Sequence, residues 1–353
     1  TRDGMYVTPS IDSLTEEGAK KSRPMKKGDF VIAVSGDPGE PCVLNVDACI
    51  HDGFVGLRDL NTKIVFIPYL YQYFKLIKLK NKSQAVGAIY KNLNTDQIKK
   101  LKIPLPPLPT QQKIAAILDE ADKVRQLSKQ LIAKYDALTQ SLFLEMFGDP
   151  VNNQKKWNIV PFGSIFNSLR YGTSSPPIYQ KSGIPFIRAT NVKKGNVALK
   201  GMVYLSNEEA AKIKKCKLNE GDLIVVRSGA NTGDCCRIPK LYQDAFGGFD
   251  IIIEIDNPYS VFYNFLLNTS AGKAILDPLT RRAGQPHLNS KQISELQLIA
   301  PPITLQTEFA TRVEAIEAQK AQAQESLAKS EELFQSLLQR AFKGELSTTS
   351  GKD

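Results

Sequence analysis

The chain has 353 residues, 42% of them hydrophobic and 23% charged, with a formal net charge of +10. That balance fits a folded protein of two or three domains; no apolar run reaches the ~18 residues of a membrane span, and no basic segment leading into an apolar core marks a secretory signal. Two histidines and five scattered cysteines, none in a C-x-x-C pair, argue against a four-ligand zinc set and suit a reducing cytoplasm better than a disulfide framework.

In chain order, the first module opens with lysine clusters around Lys20, Lys21, Lys26 and Lys27. Gly28-Asp29 then leads into the apolar run Phe30–Val34, a short buried strand, which Ser35-Gly36 ends. More lysines follow at positions 75, 78, 80 and 82. The proline-rich LPPLPT cannot be helical inside, so the long helix begins near Gln111. Apolar residues recur at Ile114, Ile117, Ala121, Val124, Leu131, Tyr135, Leu138 and Leu142, with a break at Ser128. This three-four spacing predicts a narrow coiled-coil seam, stopped by Gly148-Asp149-Pro150. About 37 helical residues would span about 55 Å.

The second module carries three polar loops: Arg170-Tyr171-Gly172-Thr173, Arg188-Ala189-Thr190-Asn191 with Lys193, and Arg227-Ser228-Gly229-Ala230-Asn231. The last follows Gly221-Asp222 and a second strand, Leu223–Val226. Asn257-Pro258-Tyr259 precedes a helix over 260–268, and Arg281, Arg282, Gln285 and His287 lie in a turn bounded by glycine and proline. After APPIT comes the second long helix, with Phe309, Val313, Ile316, Ala323, Leu327, Phe334, Leu337 and Ala341 on one stripe. Two such stripes in one chain most simply pack on each other, antiparallel.

Much of this is written twice. Leu93-Asn94 falls on Leu288-Asn289, Pro106-Pro107 on Pro301-Pro302, Gln111 on Gln306 and Phe147 on Phe342, always 195 residues apart. The Gly-Asp and Ser-Gly pairs correspond at 193. So long a period is a duplicated module, not a solenoid repeat. The second copy has 64 residues from Trp157 to its Gly-Asp and the first only 27, so the first module is expected to lack the stretch matching 157–196.

The charge sits outside the helices. Residues 111–150 hold five basic and six acidic side chains, and 305–346 hold five and seven, which leaves +13 on the modules. That imbalance points to a polyanion partner, against the plainer reading of a merely soluble basic surface. Arginine and asparagine can read guanine and adenine edges, while lysine and hydroxyl side chains more often hold phosphates. Candidate DNA contacts are therefore Lys27, Arg170, Tyr171, Thr173, Arg188, Asn191, Lys193, Arg227, Ser228, Asn231, Arg281, Arg282, Gln285 and His287. Catalytic motifs are lacking. Asp119-Glu120-Ala121-Asp122 sits in a helix with no phosphate loop anywhere in the sequence, and Asn257-Pro258-Tyr259 is one proline short of an amino-methyltransferase motif.

A Gly-Asp turn, a strand, Ser-Gly, a Leu-Asn turn and I-P-L-P-P-L-P-T-Q-Q-K-I-A-A-I-L-D together resemble the specificity subunits of type I restriction-modification systems. So do L-F-L-E-M-F-G-D-P-V at the first helix end and A-F-K-G-E-L near the close. The resemblance covers essentially the whole chain; in the second copy Ile303-Thr304-Leu305-Gln306 and Phe309 depart from the usual context. It implies an α+β fold, with two globular mixed α/β target-recognition domains joined by two long antiparallel coiled-coil helices. On this sequence those would be a first, N-terminally incomplete domain over 1–104, a spacer helix over 105–148, a second domain over 149–299, a spacer helix over 300–346 and a tail over 347–353. The resemblance further implies a bipartite double-stranded DNA target, one half read by each domain, and helices that set the distance between halves. Methyltransferase and restriction/translocase subunits would be the partners, with no membrane. The chain itself would hold no cofactor; S-adenosylmethionine, ATP and Mg would belong to those partners. A non-catalytic coiled-coil adaptor, or the specificity part of a fused modification enzyme, are the alternatives.

Overall fold

The computed structural model describes residues 4–8, 13–83, 95–280 and 287–346, with residues 80–83 as backbone only. The fold is α+β, with two mixed-sheet regions and two long helices. The chain divides into two compact units, residues 1–132 with 322–353 and residues 133–321, so the division falls inside both long helices.

The repeated Gly-Asp builds the same turn in each unit. Gly28 and Gly221 both have φ of 92°, a left-handed conformation that favours glycine. The aspartate side chain then caps the turn, Asp29 accepting from the Lys26 N–H at 2.7 Å and Asp222 from the Asn219 N–H at 3.1 Å. Each turn launches a central strand, Phe30–Ala33 or Leu223–Val225, buried throughout. Such strands read as unbroken apolar runs because both faces are covered. In the first, Phe30 and Ile32 enter one core cluster and Val31 another. In the second, Leu223 and Val225 pack with Phe262, Phe143 and Phe309, while Ile224 and Val226 pack with Ile187 and Val192.

In the first unit the sheet order is Tyr6–Val7, Pro41–Leu44, Phe30–Ala33, Phe54–Leu57. In the second it is Cys235–Arg237, Leu223–Val225, Ile251–Glu254, Ser168–Tyr171, antiparallel throughout. The second unit also holds a three-stranded sheet of Val203–Leu205, Ile184–Ile187 and Phe246–Gly247, in that order. Asn257-Pro258 stands as a turn before the helix Tyr259–Asn268, matching the expected 260–268.

The long helices run Leu108–Phe147 and Ile303–Phe342, 40 residues each or about 60 Å. Within the first unit, Ile114 and Leu118 pack with Phe334, Leu338 and Ala341. Within the second, Phe143 and Phe147 pack with Phe309, ring centroids 5.6 and 5.4 Å apart. In each unit the start of one helix meets the end of the other, so they are antiparallel. The repeated Pro-Pro…Gln pattern locks each start: Gln111 donates to the Pro106 carbonyl at 2.7 Å and Gln306 to that of Pro301 at 2.8 Å.

The expected seam on the first helix needs correction. Val124, Leu131 and Leu138 are 52%, 42% and 50% exposed, whereas Ser128, read as a break, is buried. The packed middle is polar. Arg125 lies over the Phe334 ring at 4.4 Å and pairs with Asp122, Ser128 donates back to the Val124 carbonyl, and Lys320 reaches Asp136 at 2.6 Å. A three-four spacing has more than one face to choose from, and the polar face won by forming these partners. The second helix keeps its expected stripe, with Phe309, Ala323, Phe334 and Ala341 buried.

Candidate nucleic-acid interface

The strand register of the second unit delivers its loops to one end. Tyr171 lies opposite Ile251, and Ile251 opposite Val225. The residues just beyond, Gly172, Asp250 and Val226, are therefore neighbours. The Gly172 N–H donates to the Asp250 carbonyl at 2.9 Å, and the Gly248 N–H to that of Ile187 at 2.8 Å. The backbones are so close that a Cβ on Gly172 would lie 1.5 Å from the Gly248 oxygen. Ser228 forms an isolated bridge with His287, and the Leu288 N–H donates to the Arg227 carbonyl at 2.8 Å. Four segments thus converge around Arg227.

Its guanidinium carbon lies 4.5 Å from the Tyr171 ring centroid and 4.4 Å from that of Phe249. Two rings about a planar cation fix its orientation and strengthen cation–π attraction where water is reduced. One amino nitrogen lies 3.0 Å from His287 Nε2. Arginine only donates, so in this contact Nε2 is the acceptor. Tyr171 is held in turn, its hydroxyl accepting from the Ser290 N–H at 2.8 Å. Beside this group lies a cavity of about 300 Å³, bordered by Thr173, Tyr179, Arg188, Ser228, Phe249 and Asp250. Asp250 is only 3% exposed, and burial pushes its carboxyl up to about 6, against the opposing pull of the Arg227 backbone N–H and guanidinium.

The other candidates take different places. Arg188 donates to the Gly201 carbonyl at 2.6 Å and lies 5.4 Å from the Tyr179 ring, at the cavity. Thr173 folds its hydroxyl onto the Ser175 carbonyl, and Asn231 reaches the Ala189 carbonyl at 3.5 Å. Lys193 is exposed. Arg170 is tied to the Lys215 and Lys217 carbonyls and to Asp222, a bracing role that its position on the strand allows. Asn191 corrects expectation: it is fully buried, its amide spent on the Ala198 carbonyl and the Arg188 N–H, so it organises the turn. Lys27 belongs to the first unit, exposed, its N–H on Asp47. Arg281, Arg282 and Gln285 lie outside the described residues. By the 193-residue correspondence the first copy has Val34 where the second has Arg227.

Phe249, Asp250 and Tyr179 border the cavity and are not among the candidates drawn from the sequence. The signal was present in Gly247-Gly248-Phe249-Asp250, where an aromatic and an acid follow two glycines. Phe249 is 45% exposed at the turn, while Gly247 and Gly248 are buried.

The family model for the type I restriction modification DNA specificity domain matches residues 3–135 and 154–329. The chain is 26% identical to the type I restriction enzyme EcoKI specificity subunit of Escherichia coli strain K12, over 98% of this chain and 81% of that protein. It is 23% identical to the MjaIX specificity subunit of Methanocaldococcus jannaschii, over 97% and 83% respectively. Among solved structures it is similar to a type I restriction-modification S subunit from M. genitalium, with a TM-score of 0.56 at 16% identity, over 96% of this chain and 88% of that one.

Proposed function

We infer the division of labour from the family: the chain belongs to the type I restriction-modification DNA specificity family, is a non-catalytic specificity subunit, and recognises DNA targets within its complex. The finer reading is that the target is bipartite double-stranded DNA, each module reading one half. Arg227, pinned between Tyr171 and Phe249, is the central reader in the second module, and this pinning is the observation that carries the reading. An arginine already held in one orientation loses little entropy on meeting a guanine O6/N7 edge. Arg188, Thr173, Ser228 and His287 flank it, and Arg281, Arg282 and Gln285 are proposed as DNA contacts on their sequence alone. With Val34 at the corresponding place, the first module reads its half by different chemistry. Two unbroken 40-residue helices support a spacer that sets the gap between the halves.

Methyltransferase and restriction/translocase subunits are the partners in the cytoplasm. S-adenosylmethionine, ATP and Mg act on those subunits, and this chain supplies the address. No described helix is long and apolar enough to cross a membrane. The test is methylome sequencing of cells carrying this chain with its modification subunit, beside a strain lacking the chain. A bipartite methylated motif that disappears in the deletion is the expected result. A methylome unchanged by the deletion, with both proteins expressed, would favour the adaptor reading.

A further inference from the structure

The cavity beside Arg227 has a composition that edge-on reading of a duplex does not call for. At about 300 Å³ it lies at the small end of ligand sites, and Tyr179, Phe186 and Phe249 supply aromatic walls. Tyr179 and Phe186 stand 5.6 Å apart and tilted. Arg188 borders the same space, and its Nε is buried with no hydrogen-bond partner among the described residues. Thr173, Ser174 and Ser228 add hydroxyls. Asp250 borders it as well, and as a buried carboxylate it should be well supplied with donors. Yet among the described residues its side chain accepts one hydrogen bond, from the Arg227 N–H at 3.3 Å. Burial outweighs that bond and the nearby Arg227 charge in disfavouring the ionised form, in line with its raised pKa.

We propose that this cavity receives one guanine lifted out of the DNA stack, with Asp250 reading its Watson–Crick edge and the aromatic walls stacking on its face. The proposal rests on the reading of this chain as a DNA-recognition subunit. The choice of base follows from donor and acceptor order. An ionised carboxylate only accepts. Guanine alone presents two adjacent donors, N1–H and the N2 amino group, that a carboxylate can take together. Adenine and cytosine place an acceptor nitrogen beside their amino group, and thymine flanks its single N–H with two carbonyls. Those donors are engaged in a base pair, so the base must leave the duplex before Asp250 can reach them. Stacking on an aromatic ring offsets part of the cost of that unpairing.

The experiment measures binding of the full chain at low salt to three short duplexes by fluorescence anisotropy. One is fully paired, one carries a single unpaired guanine, and one an unpaired hypoxanthine, which lacks only the N2 amino group. An unpaired base removes the cost of unpairing and isolates the cavity. The wild-type chain is expected to favour the unpaired guanine over hypoxanthine by about tenfold, one charge-assisted hydrogen bond. Asp250→Asn and Ser174→Trp, the latter an exposed rim position, should each abolish that preference. Binding to every duplex with no guanine preference, or a preference that survives both substitutions, overturns the cavity assignment and leaves the DNA-reading function standing. No binding to any duplex overturns both.

Discussion

Asp250→Asn should stabilise the second unit at neutral pH. The carboxyl is 3% exposed and its pKa is raised from 3.8 to about 6, chiefly by burial. The folded state therefore binds the proton more tightly than the unfolded chain. Its contribution is intact below about pH 3.8, is lost as pH rises, and by pH 7 is fully a cost. At 1.36 kcal/mol per pH unit the cost is about 3 kcal/mol, of which roughly half has developed by pH 5. Asparagine mimics the protonated acid and escapes it. The assay is urea unfolding followed through Trp157. It is the only tryptophan, lies in the second unit, packs against its core and donates to the Phe147 carbonyl at 2.9 Å. The variant should exceed wild type by up to about 3 kcal/mol at pH 7 and match it near pH 3.5. A variant less stable than wild type at pH 7, or a difference that does not change with pH, would refute the reasoning. Stability surrendered at one buried acid is what a residue kept for recognition produces.

Three further outcomes are expected. Arg227→Ala and Arg188→Ala should each relax specificity in one half-site by ~1–3 kcal/mol, read by methylome sequencing; a uniform, salt-sensitive loss of affinity would mark a phosphate contact instead. Gly172→Ala sets a Cβ 1.5 Å from the Gly248 oxygen, so Trp157 fluorescence should report a loss of about 4 kcal/mol or more, and near-wild-type stability would show that these backbones separate easily. Inserting one heptad into both long helices should lengthen the unread gap of the methylated motif, and an unchanged gap would sink the spacer idea.

The sequence by itself determined the duplication, the two long helices, the central strands and the family. Those features rest on local chemistry that repeats: a glycine at φ of 92° with a capping aspartate, a glutamine tied to a proline carbonyl five residues back, an apolar run flanked by turn residues. It also pointed to the Arg227 loop, because an arginine beside Ser-Gly after a buried strand must emerge at a sheet end. Only the tertiary structure decided what Arg227 touches. Tyr171, Phe249 and His287 are distant in sequence and meet through strand register and one bridge. The same holds for the removal of Asn191 from the surface and the choice of face on the first helix. Val124, Leu131 and Leu138 satisfy the period as well as any seam does. Which face is buried depends on partners the helix finds across space, and periodicity carries no information about those.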